Sequence, residues 1–241
     1  MMIYILLIAH FLADFTFQPA KLAKGKIKDF RFLLTHSLIY AGVFLAAVFP
    51  FVKLKRAVLP YLIIVISHFL IDWIRITLDR KYANRTYAFT SFMIDQILHT
   101  LIIAVIYFIF DISTQTNQLY EYVKNRAGFG QLIIYFLIFI IIWDPAAAFI
   151  KKLFLYIGKN GSSGDDGEPQ AGRMIGKLER VIISVLVLYN QMGAIGFVLT
   201  AKSIARYKQL EDKNFAEKYL VGTLASAAIA LITTILLKRF L

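Results

Sequence analysis

Seven apolar segments, each long enough to span a bilayer, alternate with shorter polar stretches along the 241-residue chain. Their apolar residues run continuously, which favours transmembrane helices over the alternating strands of a membrane barrel. The pattern therefore predicts an all-α polytopic bundle of about seven transmembrane helices, with six as the alternative count. The predicted segments cover residues 2–18, 33–52, 58–78, 90–110, 130–150, 178–205 and 219–238.

The composition supports this assignment. Apolar residues make up 59% of the chain and charged residues only 17%, whereas a soluble domain carries roughly a quarter charged residues. The first segment contains His10 and Asp14 and lacks a basic leader, so we expect it to be a retained helix and not a cleaved signal peptide.

The net charge of +12 comes mainly from Lys and Arg in short loops between apolar segments. We therefore expect anionic lipid headgroups as partners, and no nucleic acid. If the N-terminus lies outside, 17 of the 27 basic residues fall on the inner side, which favours N-terminus outside and C-terminus inside. A homo-oligomer is compatible with the sequence.

A polar stretch rich in Gly and Ser, residues 158–172, is predicted to be a flexible loop. It would divide one integral membrane unit into a five-helix block, 1–157, and a two-helix block, 173–241. The acidic residues of the loop could bind a cation, but a solvated linker is the favoured interpretation. These residues are Asp165, Asp166 and Glu168.

All four histidines lie in apolar segments, and three of them pair with an aspartate at a spacing of four residues. Residues at this spacing share one face of a helix. Ionisable groups in such segments are costly and normally face a bundle interior, so they indicate function. The pairs are His10 with Asp14, His68 with Asp72, and Asp95 with His99, and His36 stands alone.

The alternating direction of the first four predicted helices brings all these groups to one layer, the cytoplasmic half of the membrane in the favoured orientation. His10-Phe-Leu-Ala-Asp14 and His68-Phe-Leu-Ile-Asp72 are close copies 58 residues apart. We therefore predict that helices 1–2 and 3–4 form a duplicated hairpin, an arrangement in which sites commonly lie at the repeat interface.

The chain has no cysteine, which excludes thiolate metal sites, disulfides and a cysteine nucleophile. Imidazole and carboxylate groups suit Zn²⁺ and also Mn²⁺ or Fe²⁺, so the predicted cofactor is a divalent metal ion, zinc first. The predicted metal ligands are His10, Asp14, His68, Asp72, Asp95 and His99.

A metal ion with an open position activates water, which makes hydrolysis the simplest chemistry. We predict a metal-dependent hydrolase acting on a lipid or lipid-linked phosphate or ester at the cytoplasmic interface. Catalytic or supporting roles are predicted for Asp14, Asp95 and His36, and substrate contacts for Arg75, Lys21 and Gln18.

Two alternatives use the same residues. One is a transporter or channel for protons or divalent cations, and the other is a non-catalytic scaffold with a structural metal. A transporter needs access from both faces, whereas the outer halves of helices 1–4 are nearly all apolar, which favours the enzyme. Motifs for nucleotide hydrolysis or a serine nucleophile are absent from the sequence.

Further polar residues occur in the later segments. Asp144 precedes Pro145, where a kinked helix could line a cavity. Glu179 and Arg180 are expected to pair with each other. Asn190 and Gln191 are each expected to form hydrogen bonds to other helices.

The motifs Ala9-His10-Phe-Leu-Ala-Asp14-Phe-x-x-Gln18, Thr35-His36-Ser37, Ser67-His68-Phe-Leu-Ile-Asp72 and Asp95-Gln96-x-x-His99 resemble an uncharacterised bacterial multi-pass membrane family that carries only a "domain of unknown function" label. The stretch from Ile175 to Ser203 also resembles the C-terminal half of that family. The resemblance implies a bacterial cytoplasmic membrane protein and no particular activity. A looser similarity, in the His and Asp motifs only, is to inner-membrane metal-dependent hydrolases.

Overall fold

The structure is a computed structural model that describes residues 1–82, 84–158 and 170–241. In these ranges the secondary structure is helical, and an isolated bridge between Val52 and Thr116 is the only β pairing. Long apolar runs form helices because each backbone group then finds its hydrogen-bond partner within the segment. The prediction of an all-α polytopic bundle is confirmed.

The backbone contacts divide the described residues into two compact units, Met1–Leu137 and Ile138–Leu241. The first contains α1 Met2–Phe11, α2 Ala20–Lys28, α3 Phe30–Val48, α4 Leu54–Lys81, α5 Arg85–Ile109 and α6 Gln118–Lys124. Helix α7, Phe129–Ile157, begins in the first unit and ends in the second. The second unit also contains α8 Gln170–Leu188, α9 Met192–Ile204 and α10 Lys213–Lys238.

The predicted blocks 1–157 and 173–241 remain a prediction, as does the loop between them. Helix α8 begins at Gln170, inside the predicted loop. The candidate cation ligands of this loop, Asp165, Asp166 and Glu168, lie outside the described residues.

Five of the described helices are long and apolar enough to cross a membrane, namely α3, α4, α5, α7 and α10. A sixth span results if the bent pair of segments Met2–Thr16 and Ala20–Lys28, which meet at 79°, counts as one. The described residues thus contain fewer candidate membrane spans than the seven predicted, because the predicted segment 178–205 forms two helices, α8 and α9. They separate at Asn190, whose φ of 61° is left-handed and interrupts a helix.

Polarity in the first unit is the reverse of that in a water-soluble protein. Large apolar side chains are exposed on the outer helix faces, with Leu38 66% and Phe108 72% exposed, while histidines and aspartates are buried. Such a surface suits hydrocarbon and would be an aggregation hazard in water. The interior has two zones, since a cluster of buried apolar residues, including Leu6, Phe44 and Ile103, packs beside the polar groups.

Helix α2 lies against α3 through a close approach at Gly25. A Cβ atom at this position would lie 2.6 Å from the ring of Phe32, so only glycine fits without displacing that ring. The same helix carries Lys26, which is 7% exposed. Gly25 therefore sets how closely α2 can approach the bundle.

We expect Gly25→Ala to destabilise the protein by about 1–3 kcal/mol, the usual cost of overpacking. Gly42→Ala on α3 is the matched control, because nothing lies within 4 Å of its Cβ position and alanine favours the helix. Thermal unfolding in detergent measures both. Equal melting temperatures for the two variants would contradict the close approach.

The second unit contains its own polar contacts between partly or fully buried side chains. Asp144 pairs with Lys177 at 2.5 Å, and Glu179 pairs with Lys202. Arg180 donates from Nε to the carbonyl oxygen of Ile142 at 2.6 Å. The predicted pairing of Glu179 with Arg180 is therefore wrong, since adjacent residues on a helix point in different directions.

Asn190 accepts a hydrogen bond from Lys238 at 2.8 Å, as expected of a residue that bonds between helices.

Candidate metal centre

Asp14 reaches the interior from an irregular turn at the end of α1. Residues Leu12–Thr16 form a π-helical turn, closed by the amide of Phe17 donating to the carbonyl of Leu12 at 2.8 Å. Such turns are rare and occur frequently at functional sites. Here the turn holds Asp14, which is 6% exposed, just before the chain bends into α2.

Four of the predicted residues come together from three segments of the first unit, the π-helical turn, α3 and α4. The ligand atoms of Asp14, His36, His68 and Asp72 all lie within 4.8 Å of one another, and all four residues are buried. The Nε2 atom of His36 lies 3.2 Å from Oδ1 of Asp14 and 3.3 Å from Oδ2 of Asp72. The Nε2 atom of His68 lies 3.7 Å from the same Asp14 oxygen. We call these four residues the central group.

The central group could hold a metal ion. In the described part of the chain, Nε2 of His36 and both ring nitrogens of His68 are buried and form no hydrogen bond of good geometry, although the two Nε2 atoms lie close to carboxylate oxygens. An unpaired buried polar atom is costly, and a metal ion would satisfy it. Ligand atoms bound to a tetrahedral zinc ion lie about 3.3 Å apart, which agrees with the two His36 distances.

Lys26 is one of two residues of this site that the sequence did not single out. Its Nζ donates to Oδ2 of Asp72 at 2.8 Å, so a buried ammonium group contacts the central group. The oxygen of the Gln18 side chain, in the amide orientation that satisfies both ends, accepts from Lys26 at 2.9 Å and from Nδ1 of His36 at 3.1 Å. The sequence predicts that Gln18 contacts substrate, whereas in the structure it bonds to His36 of the central group.

The other two histidines stack beside the central group. The ring of His99 lies 4.3 Å from that of His68 and 5.5 Å from that of His10, centroid to centroid. Nδ1 of His99 donates to the carbonyl oxygen of Asp95 at 2.8 Å, since a carbonyl oxygen can only accept, and Nε2 has no hydrogen-bond partner among the described residues. His10 and His99, both predicted ligands, are therefore neighbours of the group and not members of it.

Tyr40 is a second residue that the sequence did not single out. Its ring stacks on His68 at 3.6 Å between centroids, and its hydroxyl lies 3.3 Å from Nδ1 of His10. A tyrosine between apolar residues of a helix resembles ordinary core packing, so the sequence carried no signal for it.

Asp95 lies next to the central group and is linked to it by Gln96. The Gln96 amide donates to Oδ2 of Asp14 at 2.8 Å and to Oδ2 of Asp95 at 3.0 Å. Arg75 donates to the same Asp95 oxygen at 2.9 Å, and Oδ1 of Asp95 has no hydrogen-bond partner among the described residues. Two donors thus position Asp95 through Oδ2, and its Oδ1 forms no hydrogen bond to the described residues.

The predicted substrate contacts are placed differently. Arg75 is partly buried and forms ion pairs with Asp95, with Asp72 at 3.9 Å and with Asp79 at 3.6 Å. Lys21 is exposed on α2. The structure brings the His and Asp pairs together in one region of the first unit, whereas their common depth in a membrane and the side that they face stay predictions.

Comparison with known proteins identifies a family for the part of the chain that carries this site. The family described as "Protein of unknown function (DUF3307)" matches residues 2–127, which include every residue of the central group. The C-terminal half, for which the sequence analysis also found a resemblance, lies outside this match. No curated protein and no solved structure matches the chain significantly. The chain belongs to the DUF3307 family.

Proposed function

We propose that this protein is a membrane-embedded metal-dependent hydrolase whose metal ligands are Asp14, His36, His68 and Asp72. The observation that carries the proposal is the convergence of two imidazoles and two carboxylates in an apolar bundle, with ligand nitrogens that lack any other partner among the described residues. A divalent ion would neutralise both carboxylates, which are otherwise expensive in such surroundings.

The donor atoms favour zinc. Two imidazole nitrogens and two carboxylate oxygens match the ligands of Zn²⁺, with Mn²⁺ and Fe²⁺ as the other candidates for a site without sulfur. Carboxylates bind through one oxygen or two, so either aspartate can yield a position to water or substrate. The set is therefore compatible with a catalytic metal.

Asp95 and His99 supply the proton transfers in this proposal. Among the described residues, Oδ1 of Asp95 and Nε2 of His99 have no hydrogen-bond partner, and both residues lie beside the central group. Either can accept a proton from an attacking water molecule and return it to a leaving group. His36, for which the sequence predicts a catalytic or supporting role, is a ligand in this proposal, and His10 supports the stacked rings.

Access from one end favours hydrolysis over transport. On one side of the central group, Tyr40, Phe44, Ile64 and Ile103 belong to the buried apolar cluster. On the other side lie Lys26, Arg75 and the bend before α2. A transporter needs a path to both faces, whereas an enzyme acting on lipids or lipid-linked phosphates or esters needs only the polar end.

The test is metal analysis followed by a turnover assay. Purified protein should contain one transition metal ion per chain and should hydrolyse phosphate or ester lipid probes in proteoliposomes, with activity lost to a chelator and restored by zinc. Asp95→Asn should keep the metal and lose at least a hundredfold in turnover, the usual worth of acid–base catalysis.

Absence of a transition metal, together with unchanged metal content in Asp72→Ala, would refute the proposal. A bound metal without turnover on any probe would instead favour the scaffold.

A further inference from the structure

A cavity of about 210 Å³ opens beside the metal centre, between α2, the start of α3 and the second half of α4. Lys26 lines this cavity and also bonds to Asp72 at 2.8 Å, so one side chain joins the cavity to the central group. None of the residues to which the proposed function assigns metal binding or proton transfer lines this cavity.

The polar part of the lining is cationic. Lys26, Lys28 and Arg80 face a single carboxylate, that of Asp29. Asp29 is engaged as the N-cap of α3, where it accepts from the amide of Arg31 at 2.9 Å. The cavity therefore attracts anions, and the lysine and arginine donors suit a phosphate group.

The position of Arg80 is fixed by the backbone. Its Nε donates to the carbonyl oxygen of Ile27 at 2.7 Å, which ties α4 to α2 at the cavity. A cation held in this way is organised before a ligand arrives, and such preorganisation lowers the cost of binding.

Apart from the neutral Thr77, the rest of the lining is apolar and aromatic. Phe30, Leu33, Trp73 and Ile76 form this wall, and Trp73 is 48% exposed. The volume is below the roughly 300–1,000 Å³ typical of sites that enclose a drug-sized ligand. It suits one headgroup, with acyl chains left along the exposed apolar faces of the helices.

We propose that this cavity binds the phosphate group of an anionic membrane lipid and presents it to the metal centre. The inference deepens the proposed function and rests on it for the identity of the substrate, which becomes a phosphate-bearing lipid. A soluble phosphate shares the charge but has no use for the apolar wall, which is why we assign the cavity to a lipid.

Trp73 provides the reporter, because Trp143 is the only other tryptophan of the chain. In a Trp143→Phe background, metal-free protein in phosphatidylcholine nanodiscs is titrated with phosphatidic acid carrying brominated chains. We expect it to quench Trp73 at lower mole fractions than brominated phosphatidylcholine does. Lys28→Gln should weaken the preference for phosphatidic acid about fivefold, which is the usual contribution of one basic residue to binding at an anionic surface.

The matched control is Lys55→Gln with Arg56→Gln, two exposed basic residues at the start of α4, which should leave the preference unchanged. Equal quenching by both lipids would overturn the proposal. Displacement of the lipid by millimolar inorganic phosphate would overturn it too, by assigning the cavity to a soluble anion.

Metal content is measured on separate samples, so the two proposals can fail independently. Lipid preference in a protein that never binds metal would refute the hydrolase and leave the cavity assignment standing. A bound metal without lipid preference would refute the cavity assignment and leave the hydrolase proposal standing.

Discussion

Replacing either His36 or His68 by alanine is expected to remove the bound metal, with a loss of more than a hundredfold in affinity. Each supplies an imidazole nitrogen to the central group, and no other histidine belongs to that group. Metal content after dialysis against a weak chelator, measured by mass spectrometry, checks the result. His99→Ala is the matched control, since it removes a buried imidazole of the same bundle that contacts the ring of His68 but does not belong to the central group.

His99→Ala should keep the metal. Its metal affinity should fall by ten- to hundredfold at most, the range found for residues that support metal ligands without binding the ion. Loss of metal in His99→Ala equal to that in His68→Ala would place the ion nearer the set predicted from sequence, which includes His10, Asp95 and His99. Retention of the metal in both His36→Ala and His68→Ala would contradict the central group itself.

Lys26→Met is expected to have opposite effects on the metal-free and the metal-bound protein. The Lys26 ammonium is the buried partner of Asp72, and breaking a buried ion pair costs about 3–5 kcal/mol. The metal-free protein should therefore unfold at a lower temperature. A metal ion beside Asp72 is repelled by the same ammonium, and two unit charges 4 Å apart repel by about 4 kcal/mol at an effective dielectric constant near 20.

Removing the ammonium should therefore raise metal affinity more than tenfold, and added zinc should raise the melting temperature further than in the wild-type protein. Melting curves with and without zinc, combined with competition against a fluorescent chelator, measure both effects. Lys28→Met on the same helix is the control, because Lys28 is exposed. Weaker metal binding in Lys26→Met would mean that Lys26 supports the ligand and does not compete with the ion.

Helical spacing explains why the layer of the site could be predicted. Continuous apolar runs fix the helices, and the position of a residue along each run fixes its depth. Asp14, Asp72 and Asp95 therefore had to lie near one level if the four helices α1, α3, α4 and α5 alternate in direction.

The partners of those residues could not be predicted in the same way. Residues four apart on a helix lie side by side and point in the same direction, so His68 and Asp72 are placed to meet groups from other helices. Asp14 lies within 4 Å of His36 and His68, and Asp72 lies within 4 Å of His36 and Lys26. Pairing within a helix therefore gave the right residues, but of the three predicted pairs only Asp95 and His99 lie within ion-pair distance, at 3.8 Å.

Lys26 shows the same limit. In the sequence it is one of several lysines near the end of an apolar segment, and such lysines normally mark topology. It becomes buried because the chain bends by 79° after the π-helical turn and because Gly25 lets α2 approach Phe32. The glycine directly before the lysine was the available signal.

The sequence by itself determined that this protein is a helical membrane protein with histidines and aspartates at one depth, because hydrophobic length and helical period are properties of each segment alone. Only the tertiary structure decided which of these groups share a centre, that Lys26 joins them, and that a cationic cavity adjoins them. These features depend on the bend before α2 and on the rotation of each helix about its axis, both of which arise when the segments pack against one another.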